Sequence, residues 1–217
     1  MIGIIIGSLI AYMVGSIPFS QIAASLKGKD LTKLWDGNVG VTNLLKSTNS
    51  VWLTILAFIG DLSKGIFAIV MSMNIQNCFN ENLNILLIFM SFFAVVGHIF
   101  SIFLKFKGGM GQSTALGAVL GINPILAAMV LMGRYIEKEF AYSMVDVKNK
   151  KSKFYANNIS GILVIFILYV LIYIYDVPRE AKVVFFGATA GVLIGYLKRY
   201  YYIKNDLIPV LKRRHRR

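Results

Sequence analysis

Residues 105 to 114 read Lys105-Phe106-Lys107-Gly108-Gly109-Met110-Gly111-Gln112-Ser113-Thr114, two lysines and three glycines between two long apolar runs. This composition suits a phosphate cradle. Glycines let successive backbone N–H groups turn around an anion, a helix opening at Ser113 would aim its positive end at the same point, and the lysines add full charges. The spacing is not that of a Walker loop, since Met110 stands where a lysine would be needed. A glycine-rich turn whose lysines meet lipid headgroups fits the same residues.

Three further groups could contribute. Asp36-Gly37-Asn38-Val39-Gly40-Val41-Thr42-Asn43-Leu44-Leu45-Lys46 gathers amides, a hydroxyl and a lysine in a segment that must leave helical geometry. Asn38, Gly40, Thr42, Asn43 and Lys46 could bind a substrate rich in oxygens; an ordinary connecting loop would look the same. Asp61 and Lys64 lie three residues apart within an apolar span, where ionisable groups are costly and must pair or face a polar cavity. His98 comes about two turns before the cradle and could supply a donor or sit as a satisfied core histidine. Position 103 is Phe, so no His-x4-Asp dyad exists to act as general base.

These groups need a scaffold, and composition says which kind. The chain has 217 residues, 57% of them hydrophobic and 15% charged, with a mean hydropathy of +0.67. Soluble domains carry roughly 25% charged residues. This is an integral membrane protein. The net charge of +13 falls in loops between apolar runs, where topology control and anionic lipid account for it better than nucleic acid does. One cysteine, Cys78, excludes an internal disulfide, and two histidines supply no zinc-type cluster. No cofactor or metal is implied, and nothing specifies an oligomeric state.

Hydrophobic runs predict an all-α, polytopic chain with about seven transmembrane or half-spanning helices. Residues 2–26, 50–73, 83–104, 157–175 and 181–200 read as spans, the first kinked at Pro18, and residues 27–49 read as a polar loop. Residues 113–133 form either one span or two short helices divided at Asn123-Pro124. Small residues at Gly3, Gly7, Ala11 and Gly15, at Gly117 and Gly121, and at Gly187, Gly191 and Gly195 mark close-packing seams. Charge parity places the loops at 27–49 and 105–112 in the cytoplasm and the lysine-free 74–82 outside, with the N-terminus outside and the C-terminus cytoplasmic. Two short helices at 113–133 would return the basic loop at 134–153 to the cytoplasmic side. The chain reads as a single membrane domain, 1–217, with a basic tail at about 203–217.

Taken together, Gly15-Ser16-Ile17-Pro18-Phe19-Ser20, residues 37–43, Gly60-Asp61-Leu62-Ser63-Lys64-Gly65, Gly97-His98-Ile99-Phe100 and residues 105–114 resemble, in order and spacing, the bacterial acyl-phosphate:glycerol-3-phosphate acyltransferase family. The resemblance covers roughly the first 120 residues. It implies an enzyme of the bacterial plasma membrane that moves a fatty acyl group from acyl phosphate to glycerol 3-phosphate, giving lysophosphatidate and phosphate on the cytoplasmic side. It implies substrate contacts from Asn38, Gly40, Thr42, Asn43, Lys46, Lys107, Gly108, Gly109, Gly111, Ser113 and Thr114, with Asp61, Lys64 and His98 behind them. No catalytic residue is implied. The acceptor's own phosphate could take the hydroxyl proton. The chain departs from the family's pattern at Asp36 for Ser, Lys46 for Arg, Ser101 for Pro and Met110 for Lys, and a C-terminal His-Arg-x-Asn-Ile signature would fall on residues 203–207 without its histidine and asparagine; Asp36 and Asp206 set carboxylates where phosphates would approach. Those departures leave a second reading, a catalytically degenerate member that binds lipid or a partner. A transport path through Asp61, Lys64 and His98 is a third, against which stands the lack of an inverted repeat.

Overall fold

The computed structural model describes residues 1–143, 150–205 and 207–209. The described residues are helical, as expected. In order the helices are α1 (Ile2–Ser16), α2 (Phe19–Ser25), α3 (Val41–Thr48), α4 (Val51–Phe79), α5 (Leu83–Ile99), α6 (Gln112–Ile122), α7 (Pro124–Ser143), α8 (Lys150–Ile174) and α9 (Arg179–Lys204). Among the described residues, four stretches are long and apolar enough to cross a membrane: Ile2–Ser25, Val51–Phe79, Leu83–Leu104 and Arg179–Lys204. Shorter apolar helices occupy Gln112–Ile122, Pro124–Ile136 and Asn158–Ile174.

Several boundaries move from their sequence positions. Residues 27–49 hold α3, which the pattern missed because its N-cap is Gly40, a residue with no side chain to supply a capping oxygen. Helix α4 continues past residue 73 to Phe79, and α8 starts at Lys150 instead of 157. Residues 113–133 are two helices. The Asn123 side chain accepts from the Leu126 N–H at 2.9 Å and Pro124 takes the first helical position, where its missing donor is harmless. The second of them runs to Ser143, well beyond the ten or so residues expected.

Helix α5 sits at the centre, packed against α1, α4, α6 and α9. Glycine makes those crossings close. A Cβ on Gly15 would lie 2.9 Å from the backbone carbon of Ala94, and one on Gly97 would lie 3.0 Å from the Ser16 nitrogen, so α1 and α5 touch backbone to backbone. Gly117 does the same against Leu62 of α4 and Gly187 of α9 against Ile88 of α5, while Gly191 packs on the Val95 side chain. All three expected seams are thus contact lines. Their combined effect is to bring the N-terminus of α6, the end of α5 and the last turns of α9 together beside the loop before α3. In that loop the Asp30 carboxyl is held below the usual carboxylate range by the Thr32 hydroxyl and by Lys33.

Candidate active site

The 105–114 segment folds differently from a glycine cradle. The Gly108 N–H donates to the Ile99 carbonyl and the Gly109 N–H to the His98 carbonyl, each at 3.0 Å, which terminates α5. Lys198 of α9 completes that cap, its Nζ 2.7 Å from the Ile99 carbonyl and 3.2 Å from that of Gly108. These two glycine donors therefore face the protein, and Lys107 is exposed away from the cavity. The anion-facing part of the segment is its end. Gly111, with φ +79°, turns the chain into α6, and Met110 to Ser113 line a cavity of about 340 Å³.

The opposite wall of that cavity comes from the loop ahead of α3, through Asn38 and Gly40, and from α3 itself, through Thr42 and Lys46. Asn43 is placed behind it. Its buried amide donates to the carbonyls of Leu31, Leu34 and Asn38 at 3.0, 3.2 and 2.8 Å, tying the loop into shape. Asn43→Ala removes two amide hydrogens shared among three carbonyls, each of which keeps a backbone N–H, and is expected to cost about 1–2 kcal/mol. Thermal unfolding in detergent checks this; an unchanged midpoint with lost substrate affinity would move Asn43 to the cavity wall.

Of the remaining candidates, His98 lines the cavity, while Thr114, Asp61 and Lys64 lie behind it. Lys64 makes a 2.7 Å ion pair with Asp61, both side chains 1% exposed. Its Nζ also donates to the Ile17 carbonyl at 2.9 Å and sits 3.0 Å from His98 Nδ1. The sequence reading left open whether Asp61 and Lys64 pair with each other or face the substrate. They pair, and reach the cavity through the imidazole.

Residues that the sequence reading did not assign complete the site. Arg199 of α9 reaches back to the first loop, donating to the Asp36 carboxylate at 2.8 Å and to the Asp36 carbonyl at 2.9 Å. Asp36, feared as a loose anion, is thereby neutralised beside a cation. The signal for Arg199 was available: like Asp61 and Lys64, Lys198-Arg199 is charge inside an otherwise apolar helix. Asp206, the other suspected anion, and residues 210–217 of the basic tail lie outside the described residues. Gln112 donates to the Tyr196 hydroxyl at 2.8 Å and accepts from Arg134 at 3.4 Å. Helix α8 makes room for this group at Gly161, where a Cβ would lie 2.8 Å from the Arg134 guanidinium.

Gln112, Ser113, Arg134 and Tyr196 also border a second cavity of about 230 Å³, which runs between α6, α7, α8 and α9 and is walled by Leu116, Val130, Ile165, Leu168, Phe185 and Val192 among others. The arrangement is a polar chamber opening into an apolar slot. A molecule with a phosphorylated head and a hydrocarbon tail fits both.

Residues 5–205 match the family model described as glycerol-3-phosphate acyltransferase. The chain belongs to this family. It is 37% identical over 136 residues to a glycerol-3-phosphate acyltransferase of Wolbachia pipientis subsp. Culex pipiens (strain wPip), covering 62% of this chain and 69% of the relative. A glycerol-3-phosphate acyltransferase of Dechloromonas aromatica (strain RCB) is 35% identical over 140 residues, 64% of this chain and 67% of the relative. The fold is that of PlsY (YgiH), an integral membrane glycerol 3-phosphate acyltransferase. Its glycerol 3-phosphate form superposes with a TM-score of 0.66 at 22% identity over 94% of both chains. Its lysophosphatidic acid form gives 0.63 at 25% identity over 94% of this chain and 93% of that one. The protein is accordingly an integral membrane member of an acyltransferase family.

Proposed function

We propose that this acyltransferase moves a fatty acyl group from acyl phosphate to the 1-hydroxyl of glycerol 3-phosphate, in the bacterial plasma membrane with its polar chamber open to the cytoplasm. The observation that supports it is the junction at Gln112, Ser113, Arg134 and Tyr196, where the polar chamber meets the apolar slot. An acyl phosphate has its reactive carbonyl at that boundary, tail in the slot and phosphate in the chamber. Lys46, Arg134 and Arg199 together with the opening turn of α6 are the anion-binding groups, whereas Lys107, Gly108, Gly109, Asn43 and Thr114 stand outside the chamber wall.

In the reaction the acceptor hydroxyl oxygen attacks the acyl carbonyl carbon, the bond from that carbon to the phosphate oxygen breaks, and phosphate leaves with the electron pair. The leaving group is already good, so the protein's work is to place two phosphorylated molecules and to stabilise developing charge at the carbonyl and the departing phosphate. The chamber's carboxylate, Asp36, is committed to Arg199. The hydroxyl proton passes to the acceptor's phosphate. Cofactors have no part in this sequence of steps.

The test is to reconstitute the purified protein in lipid with acyl phosphate and labelled glycerol 3-phosphate and to extract labelled lysophosphatidate, with acyl-CoA and acyl carrier protein as parallel donors. No product from any donor, with glycerol 3-phosphate still bound, would establish the degenerate reading instead. The slot gives a second expected result. Ala188 lines it and is fully buried. Ala188→Phe fills the slot, so rates with long acyl chains are expected to fall roughly 10-fold or more relative to short ones, equivalent to losing burial of two or more CH2 groups. An equal loss across chain lengths would place the tail elsewhere.

A further inference from the structure

The Asp61, Lys64 and His98 cluster has a definite hydrogen order. An ammonium carries three hydrogens and no lone pair. Lys64 Nζ has the Ile17 carbonyl at 2.9 Å, the Asp61 carboxylate at 2.7 Å and His98 Nδ1 at 3.0 Å. Toward this donor, Nδ1 can only accept, so it is bare, and the Thr114 hydroxyl 3.3 Å away faces the same nitrogen. The proton of a neutral imidazole is then on Nε2.

No protein acceptor meets Nε2 among the described residues. That nitrogen lies next to Gly109, where a Cβ would collide with it, and the His98 side chain lines the polar chamber. A donor held in a mostly buried ring needs an acceptor, and the chamber's cations Lys46, Arg134 and Arg199 select an anion as that acceptor. We propose that His98 presents Nε2–H to a phosphate oxygen in the chamber, and that Lys64, held by Asp61, is the positioning residue that fixes this tautomer. Asp61 is in turn steadied by the Ser20 hydroxyl at 3.3 Å. The pair acts on the substrate only through the ring.

The proposal rests on the acyl-transfer reading for the kind of ligand, but its test reads phosphate binding and needs no turnover. The chain has two histidines, His98 and His215, so [15N]histidine labelling gives a spectrum of two rings, and His215→Asn assigns it. The full-length protein in nanodiscs is expected to show Nδ1 of His98 bare and Nε2 protonated. Lys64→Met is expected to move the proton to Nδ1, where Asp61 Oδ1 is 3.5 Å away. Titrating inorganic phosphate should shift the Nε2 signal in step with binding measured by calorimetry. His98→Phe should weaken that binding roughly 10- to 100-fold, with partial rescue by the amide N–H of His98→Gln. A proton on Nδ1 in the unsubstituted protein, or calorimetric binding that leaves Nε2 unmoved, overturns the proposal while leaving the acyltransferase reading intact. Absence of phosphate binding also overturns the proposal, while the acyltransferase reading stands or falls on the labelled lysophosphatidate product.

Discussion

Arg199→Met is expected to lower kcat/KM for glycerol 3-phosphate by roughly 100-fold, with most of the loss in KM. Two effects add. The substitution removes a guanidinium from the wall of the polar chamber, and hydrogen bonds between charged groups are worth about 1.5–3 kcal/mol each. It also cuts the two bonds that hold Asp36, so the loop carrying Asn38 and Gly40 loses its tie to α9. The Asp36 side chain is 25% exposed and can turn to water, so the fold should survive. Arg199→Lys keeps the charge without the planar fork and is expected to fall between the two. Asp36→Asn leaves the guanidinium to the phosphate and should tighten phosphate binding while lowering the thermal midpoint. Initial rates against glycerol 3-phosphate, with calorimetric phosphate binding for each variant, check all three. An unchanged KM in Arg199→Met would remove α9 from the anion site.

Gly117→Ala is expected to inactivate the protein and destabilise it, reversing the sign that helix propensity gives. In an exposed helix, Gly to Ala gains about 1 kcal/mol. Here a Cβ would lie 2.9 Å from the Leu62 Cα and press on the Leu62 carbonyl, backbone atoms that cannot rotate aside. Overpacking of this kind costs about 1–3 kcal/mol, and parting α4 from α6 also displaces the Gln112 to Ser113 turn from the chamber. Gly133→Ala on α7 is the contrast. Its nearest neighbour is a Val164 methyl at 3.2 Å, so the change is expected to be neutral to mildly stabilising. Unfolding midpoints of the two variants in one detergent, with acyl-transfer rates, separate packing from propensity; equal midpoints would refute the backbone contact.

The glycine seams could be read from the chain because small residues every fourth position have one common use in apolar helices, close approach. Asn123-Pro124 allowed either one span or two short helices, and the spacing of Asp61 and Lys64 allowed a pair as readily as a substrate-facing role. The 105–114 glycines misled for a physical reason: glycine content reveals that a backbone can turn, not which carbonyl waits opposite its N–H. Only the fold shows that the end of α5 claims Gly108 and Gly109. Helix α3 was hidden by its brevity and by a glycine cap. The role of Arg199 was not legible, because its partner stands far away in sequence and no local spacing links the two.

That distance has a consequence for biosynthesis. Arg199 meets a loop residue made 163 positions earlier. At about 5–20 residues per second of synthesis, roughly 8–33 seconds pass between the appearance of one partner and of the other. Early helices can insert and settle against one another during that interval, yet no ribosome-bound chain stopped short of α9 can close the chamber. Catalytic competence therefore arrives in a single late event, and a cell truncating this chain before α9 begins at Arg179 would accumulate an inert membrane bundle instead of a slow enzyme.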